Sequence, residues 1–139
     1  MSDIRNESAA FTRQTYKTSN PYESKFGYAR AVKKGPFIFV SGTTSIDPAS
    51  GIVLHPTSAY DQTLQIFSEI VKAIERLGGR KSDVVRVRMF VTRDEDCADV
   101  GRALKEVFGE IEPAATMIVG ARFVDTNMRV EIEADAVVS

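Results

Sequence analysis

Phe37-Ile38-Phe39-Val40, set between the turn residues Lys34-Gly35-Pro36 and the pair Ser41-Gly42, decides the architecture of this chain. Successive side chains of a strand point to opposite faces. A run with no polar alternate is therefore a strand covered on both sides. Just upstream, Tyr28-Ala29-Arg30-Ala31-Val32 alternates and reads as a strand that the turn joins to it. Downstream, Asp47-Pro48-Ala49-Ser50-Gly51 gives a second turn, and Ile52-Val53-Leu54 a short strand. From Ser58 to Leu77 the period changes to that of a helix, with Tyr60, Leu64, Phe67, Ile70, Val71, Ile74 and Leu77 on one stripe. Ser58 with Asp61 resembles a capping box, and Gly78-Gly79 stops the helix.

Val84 to Thr92 alternates again: Val85, Val87, Met89 and Val91 share one face, and Val84, Arg86, Arg88, Phe90 and Thr92 share the other. Asp94-Glu95-Asp96 places acid where a helix dipole favours it. The helix that follows carries Cys97, Val100, Leu104, Val107 and Phe108 on one side, and Pro113 lies past its end. Thr116–Phe123 and Arg129–Val138 read as closing strands. The order predicts an α+β fold, a single sheet with two helices on one face. The other face is then bare, and the doubly apolar strand asks for burial against identical subunits.

Composition narrows the function. The chain has 139 residues, one domain's worth, of which 43% are hydrophobic and 27% charged. Residues 1–24 are polar and read as an N-terminal arm, with a lid over a site as the alternative. Residues 25–139 form the domain. No apolar run approaches the roughly 20 residues of a membrane helix, and the first residues lack a secretory h-region. Cys97 is the only cysteine, which points to a reducing, cytoplasmic setting. One His, His55, and one Cys offer no thiolate or imidazole metal site, and no cofactor is expected. A net charge of −1 without a basic stripe argues against nucleic-acid binding.

Beyond pattern, Tyr28-Ala29-Arg30-Ala31-Val32-Lys33-Lys34-Gly35, Phe39-Val40-Ser41-Gly42, Ile46-Asp47-Pro48-Ala49-Ser50-Gly51, Asp61-Gln62-Thr63, Pro113-Ala114 and Val130-Glu131-Ile132-Glu133-Ala134 stand in an order and spacing that resembles the reactive-intermediate-deaminase (Rid, YjgF-like) family, also called endoribonuclease L-PSP. The likeness runs from about Tyr28 to Val138. It implies a chorismate-mutase-like subunit, a homotrimer, and small-molecule clefts between subunits. The family's deaminases hydrolyse imines and enamines such as 2-aminoacrylate. Their Pro-Ala-Arg-Ser/Thr signature binds the substrate carboxylate through Arg. Here the segment is Pro113-Ala114-Ala115-Thr116, so Ala115 stands at the Arg position. Met117 matches a Cys of those enzymes, and Gly101 an Asn. Tyr28, Ser41, Gly42 and Glu131 match retained cleft positions. The pattern is similar to divergent subgroups that lack the Arg.

The residues carry their own chemistry. A guanidinium binds a carboxylate through two charge-assisted bonds, and Ala115 makes none. Glu131, Glu133 and Asp135 alternate onto one strand face; Glu131 can activate water as a general base, whereas the other two fit a solvated face. Arg88 either pairs with neighbouring acids or takes over anion binding, in which case it sits within about 6 Å of Glu131 in one cleft. Arg86 shares its face, and Arg30 reads as a surface residue and a weaker candidate. Tyr28 lines the cleft or packs. Ser41-Gly42 offers a hydroxyl and a backbone N–H, and Ser41 has no base to make it a nucleophile. His55 reads as a loop residue and Cys97 as inert packing. Three functions compete: hydrolysis of an imine or enamine other than 2-aminoacrylate, noncatalytic binding of a small metabolite, and, weakest, RNA cleavage or translation inhibition.

Overall fold

In the computed structural model, which describes residues 11–139, even the polar segment ahead of Gly27 carries two elements. β1 (Arg13–Tyr16) pairs antiparallel with β2 (Ala31–Lys34). Backbone bonds to a neighbour hold it, so it needs no apolar stripe. α1 (Pro21–Phe26) begins where Asn20 Oδ1 accepts the Tyr22 N–H at 3.0 Å, with proline at its start. It ends at Gly27, whose left-handed φ of 77° closes the last turn onto the Glu23 carbonyl. The sequence reading has no element in this stretch, and residues 1–10 of its arm lie outside the described residues.

β2 returns through Gly35-Pro36 into β3 (Phe37–Thr43), Lys34 pairing with Phe37. The strand expected from Tyr28 begins instead at Ala31, because the Tyr28 N–H is spent on the Glu23 carbonyl at the end of α1. Ile52–Leu54 contributes one bridge, Ile46 to Val53, rather than a strand. α2 (Ala59–Arg76) is capped by Ser58, whose Oγ accepts the Asp61 N–H at 3.0 Å. β4 (Val84–Val91), α3 (Cys97–Phe108), β5 (Ala114–Val119) and β6 (Val130–Val137) complete the order.

The six strands lie in the order β1-β2-β3-β6-β4-β5, with β4 and β5 parallel and every other pair antiparallel. α2 and α3 pack on one face, where Phe67 and Phe108 meet edge to face at 5.0 Å. Ile38, Val40, Ile132, Ala134, Val87, Met89 and Val91 supply the sheet side of that core. The α2 stripe is rotated from the expected one. Ile66, Ala73 and the polar Gln62 and Thr63 are buried, while Tyr60 and Leu64 are only half-buried. Gln62 is satisfied by the Asn127 carbonyl and the Arg129 N–H, and Thr63 by the Ala59 carbonyl. In β4 a register shift between Val84 and Arg86 puts Val84 in the core and leaves Val85 outside, against the simple alternation.

The opposite face of the sheet carries Phe37 and Phe39, 45% and 51% exposed, as the doubly apolar strand required. Among the described residues no helix is long and apolar enough to cross a membrane, and no group of His, Cys, Asp and Glu is placed to hold a metal ion. Replacing the α2 cap by Ser58→Ala should cost about 1 kcal/mol, read as a lowered urea midpoint with an unchanged m-value.

Candidate functional site

A bulge in β3 makes the site. Val40 pairs with Ala134 and Thr43 with Ile132, so Ser41 and Gly42 together face the single residue Glu133. The extra residue drives the backbone of Gly42 against the neighbouring Glu131. A Cβ on Gly42 would lie 3.1 Å from the Glu131 carboxyl carbon and 3.2 Å from Oε2. Glycine at 42 is thus what lets the carboxylate rest on the strand.

Behind the bulge lies an ion pair. Arg30 and Glu23 are 5% and 3% exposed, and Arg30 Nε donates to Glu23 Oε2 at 3.2 Å. Buried charges persist only when their remaining polar atoms are also satisfied. Arg30 Nη1 donates to the Gly42 carbonyl at 2.7 Å and to Thr43 Oγ1 at 3.3 Å, and Nη2 donates to the Tyr28 hydroxyl at 3.3 Å. Glu23 in turn accepts from the Thr18 N–H at 2.8 Å and from the Thr18 hydroxyl. One guanidinium therefore ties α1, the Tyr28 segment and the β3 bulge together. The surface position expected for Arg30 is wrong, and the reason is Glu23, seven residues upstream on a helix the sequence did not show.

Tyr28, Arg30, Gly42 and Glu131 form the polar end of a cavity of about 110 Å³. Tyr22 and Phe26 of α1, with Val124 and Met128 from the loop before β6, form its apolar end. Burial pushes the half-buried Glu131 carboxyl above its ordinary pKa; Arg30 opposes that shift and Glu133 adds to it. The result is a carboxylate of raised pKa that lines the same cavity as the Tyr28 phenol. A larger hollow of about 570 Å³ lies on the other side of Tyr28, along β1 and the Ser41 end of β3. It does not reach Glu131, so the smaller cavity is the chemically equipped one.

The sequence candidates divide accordingly. Tyr28, Gly42 and Glu131 come together. Ser41 faces the larger hollow, and its hydroxyl donates to the Ala29 carbonyl at 2.7 Å. Arg88 stands across from Glu133 in register, while Glu131 stands across from Phe90. Arg88 Nη1 is 3.2 Å from Glu133 and 3.4 Å from Asp135. Within the subunit it is an ion-pairing residue, and the cation whose charge bears on Glu131 is Arg30. Ala115 and Met117 lie on β5, separated from β6 by β4. Met117 packs against the helix-side core, whereas Glu131 lies with Glu133 and Asp135 on the opposite face, so one subunit does not bring them together. His55 is exposed in its loop, and Cys97 packs at the start of α3. Glu23, Tyr22, Phe26, Val124 and Met128 had no sequence signal beyond the aromatic spacing of Tyr22 and Phe26, four residues apart and stacked at 6.2 Å.

A sequence model described as Endoribonuclease L-PSP matches residues 18–138. An uncharacterized protein of Streptomyces coelicolor is 35% identical over 121 residues, covering 86% of this chain and 88% of its own. A 2-iminobutanoate/2-iminopropanoate deaminase of Dermatophagoides farinae is 30% identical, covering 80% of this chain and 85% of its own. Among solved structures, a YjgF/YER057c/UK114 family member from Mycobacterium tuberculosis superposes with a TM-score of 0.81 at 32% identity, covering 91% of this chain and all of that one.

Breaking the ion pair tests this geometry. Arg30→Gln leaves Glu23 charged and buried, and should cost about 3–5 kcal/mol of stability. Because Arg30 favours the ionised form of Glu131, the same variant should move the Glu131 titration midpoint upward, as followed by carboxyl-carbon NMR.

Proposed function

The chain belongs to the Endoribonuclease L-PSP, or YjgF, family, and from that premise we propose that it binds a small imine or enamine in the Glu131 cavity and adds water to the carbon–nitrogen bond. The observation that carries this reading is the half-buried carboxylate of Glu131 resting on Gly42 in a cavity that Tyr28 and Arg30 also line. The name of the deaminase relative supports the reaction class. Glu131 takes a proton from water as the oxygen attacks the imine carbon, and the π pair moves to nitrogen. The proton then passes from Glu131 to nitrogen. Glu131 next passes the proton of the carbinolamine hydroxyl to the amine nitrogen, the C–N bond breaks with its electron pair going to nitrogen as the C=O bond forms, and a carbonyl compound and ammonia leave.

The assembly in this reading is a homotrimer. The exposed Phe37 and Phe39 of β3, together with Val137 of the adjacent β6 and Ile118 of β5, argue for a covered sheet face. A neighbouring copy would bring β5, with Ala115 and Met117, to the rim of the Glu131 cavity. In this reading Ala115 stands where the deaminases carry their carboxylate-binding Arg. That absence also favours a second reading, a trimer that binds a small metabolite without turning it over. The charge balance gives RNA cleavage no support.

Light scattering at micromolar concentration should return about three subunit masses, because an interface that completes a core is large; a monomer would sink the trimer. Hydrolysis of 2-aminoacrylate should be absent or at least about tenfold slower than in Arg-bearing relatives. On a panel of other imines, Glu131→Gln should leave binding and remove turnover. The wild-type kcat/KM should fall as the pH drops through the Glu131 pKa, with an acid limb above the usual carboxylate range, since burial raises that pKa. Ligand binding without turnover of any imine would favour the second reading.

A further inference from the structure

Arg30 has one donor left over. A guanidinium carries five N–H groups, and four are bonded to Glu23, Gly42, Thr43 and Tyr28. Asn20 is in a similar position. Its Oδ1 caps α1 by accepting the Tyr22 N–H, and its Nδ2 has no partner among the described residues. Both side chains belong to residues more than nine-tenths buried, where an unbonded donor is costly. Both line a hollow of about 10 Å³, which is room for one water. Glu69 of α2 lines it too. This half-buried carboxylate is in no ion pair among the described residues, and its Oε1 accepts from Gln65 Nε2 at 3.4 Å. Thr44 adds a hydroxyl oxygen that the Ile46 N–H reaches only at 3.4 Å. Two unused donors and two under-used acceptors therefore border a space of one water, and a buried water makes two to four such bonds.

The hollow is also a junction. Asn20, Arg30 and Thr44 line the Glu131 cavity as well. Thr18, Pro48 and Glu69 also line an open hollow of about 330 Å³, whose rim includes Ala49 and Lys72. That outer hollow runs along α2 on the helix side of the sheet, where Tyr16 packs against the core. Its edge is held in place by the Ser19 hydroxyl, which donates to the Pro48 carbonyl at 2.9 Å. It is not on the face that carries Phe37 and Phe39, so a neighbouring copy seated there leaves it open. We propose that one water occupies the small hollow, bound by Arg30, Asn20, Glu69 and Thr44, and exchanges with solvent through the outer hollow, so that the Glu131 cavity has a rear water entrance. The entrance deepens the hydrolytic reading and rests on it: each turnover consumes a water while the ligand and a neighbouring copy fill the front. The water position itself does not need the reaction.

Magnetic relaxation dispersion of water oxygen, recorded on the full-length protein, counts the waters held longer than the protein tumbles and gives their residence times. Glu69→Met and Thr44→Val, each checked for an unchanged fold by circular dichroism, remove one acceptor apiece. Glu69→Met should lose one long-lived water, and Thr44→Val should lose it or shorten its stay. A count and residence time that neither variant changes would overturn the water site. The double variant Ala49→Trp/Lys72→Trp crowds two exposed positions on the outer rim and leaves the four binding residues in place. It should lengthen the residence time at least about tenfold, an added exchange barrier of about 1.4 kcal/mol. A residence time that the double variant leaves unchanged or shortens would overturn the rear entrance. Glu131→Gln removes turnover in the hydrolytic reading and should leave the water count as in the wild type. A wild type that holds this water and turns over no imine therefore counts against hydrolysis alone, and a wild type that turns over imines without it counts against the inference alone.

Discussion

Two opposite charges removed from water at Arg30 and Glu23 set the rest of the site. Their desolvation is costly, and it is offset by the bonds each makes besides the pair itself: Thr18 on one side, Gly42, Thr43 and Tyr28 on the other. These partners belong to three different stretches of chain, the Thr18 loop, the Tyr28 segment and β3. The pair consequently fixes where α1 sits, how the segment before β2 enters the sheet, and where the β3 bulge carries its carbonyl. Glu131 inherits its surroundings from that arrangement. Its backbone comes from a regular strand, but its neighbours Tyr22, Tyr28 and Gly42 are all positioned through Arg30 or Glu23 and their elements.

This explains what the sequence disclosed and what it hid. Periodic elements were legible because apolar spacing reports burial directly. α2, with its Ser58 cap and the Phe67, Ile70 and Ile74 stripe, could be read almost to its ends. So could β6 and the exposed phenylalanines of β3. Three kinds of feature were not legible. β1 is held by backbone pairing, which leaves no side-chain pattern. The shifts at Val40/Thr43 and Val84/Arg86 are single-residue insertions in register, and alternation counted along one strand cannot see them. The Arg30–Glu23 pair joins two residues whose types ordinarily mark a surface. The resemblance to known relatives pointed to Tyr28, Gly42 and Glu131, yet it could not say that Arg30 is their common support.

The same contrast separates fold from function in this chain. Family membership rests on a match that runs along residues 18–138, whereas function rests on the few side chains of a site. The proposed chemistry depends instead on a few side chains around one cavity, above all Glu131, Tyr28 and Arg30. Arg30 lines that cavity, yet four of its five N–H donors are spent on the protein itself. A cation inside a pocket wall is therefore not equivalent to a cation available to a ligand. The difference lies in how many of its donors the protein has already used.

The strand order carries a consequence for biosynthesis. β6, the last described strand in sequence, lies in the middle of the sheet between β3 and β4. Until it emerges from the ribosome, the β2–β3 hairpin and the β4–β5 pair have no edge in common, and the apolar underside of both helices lacks the centre of its platform. Nascent chains must therefore wait with much of that surface uncovered, and closure of the subunit is a late, nearly all-or-none event. Glu131 lies on that strand, so the carboxylate of the candidate site arrives together with the piece that completes the sheet.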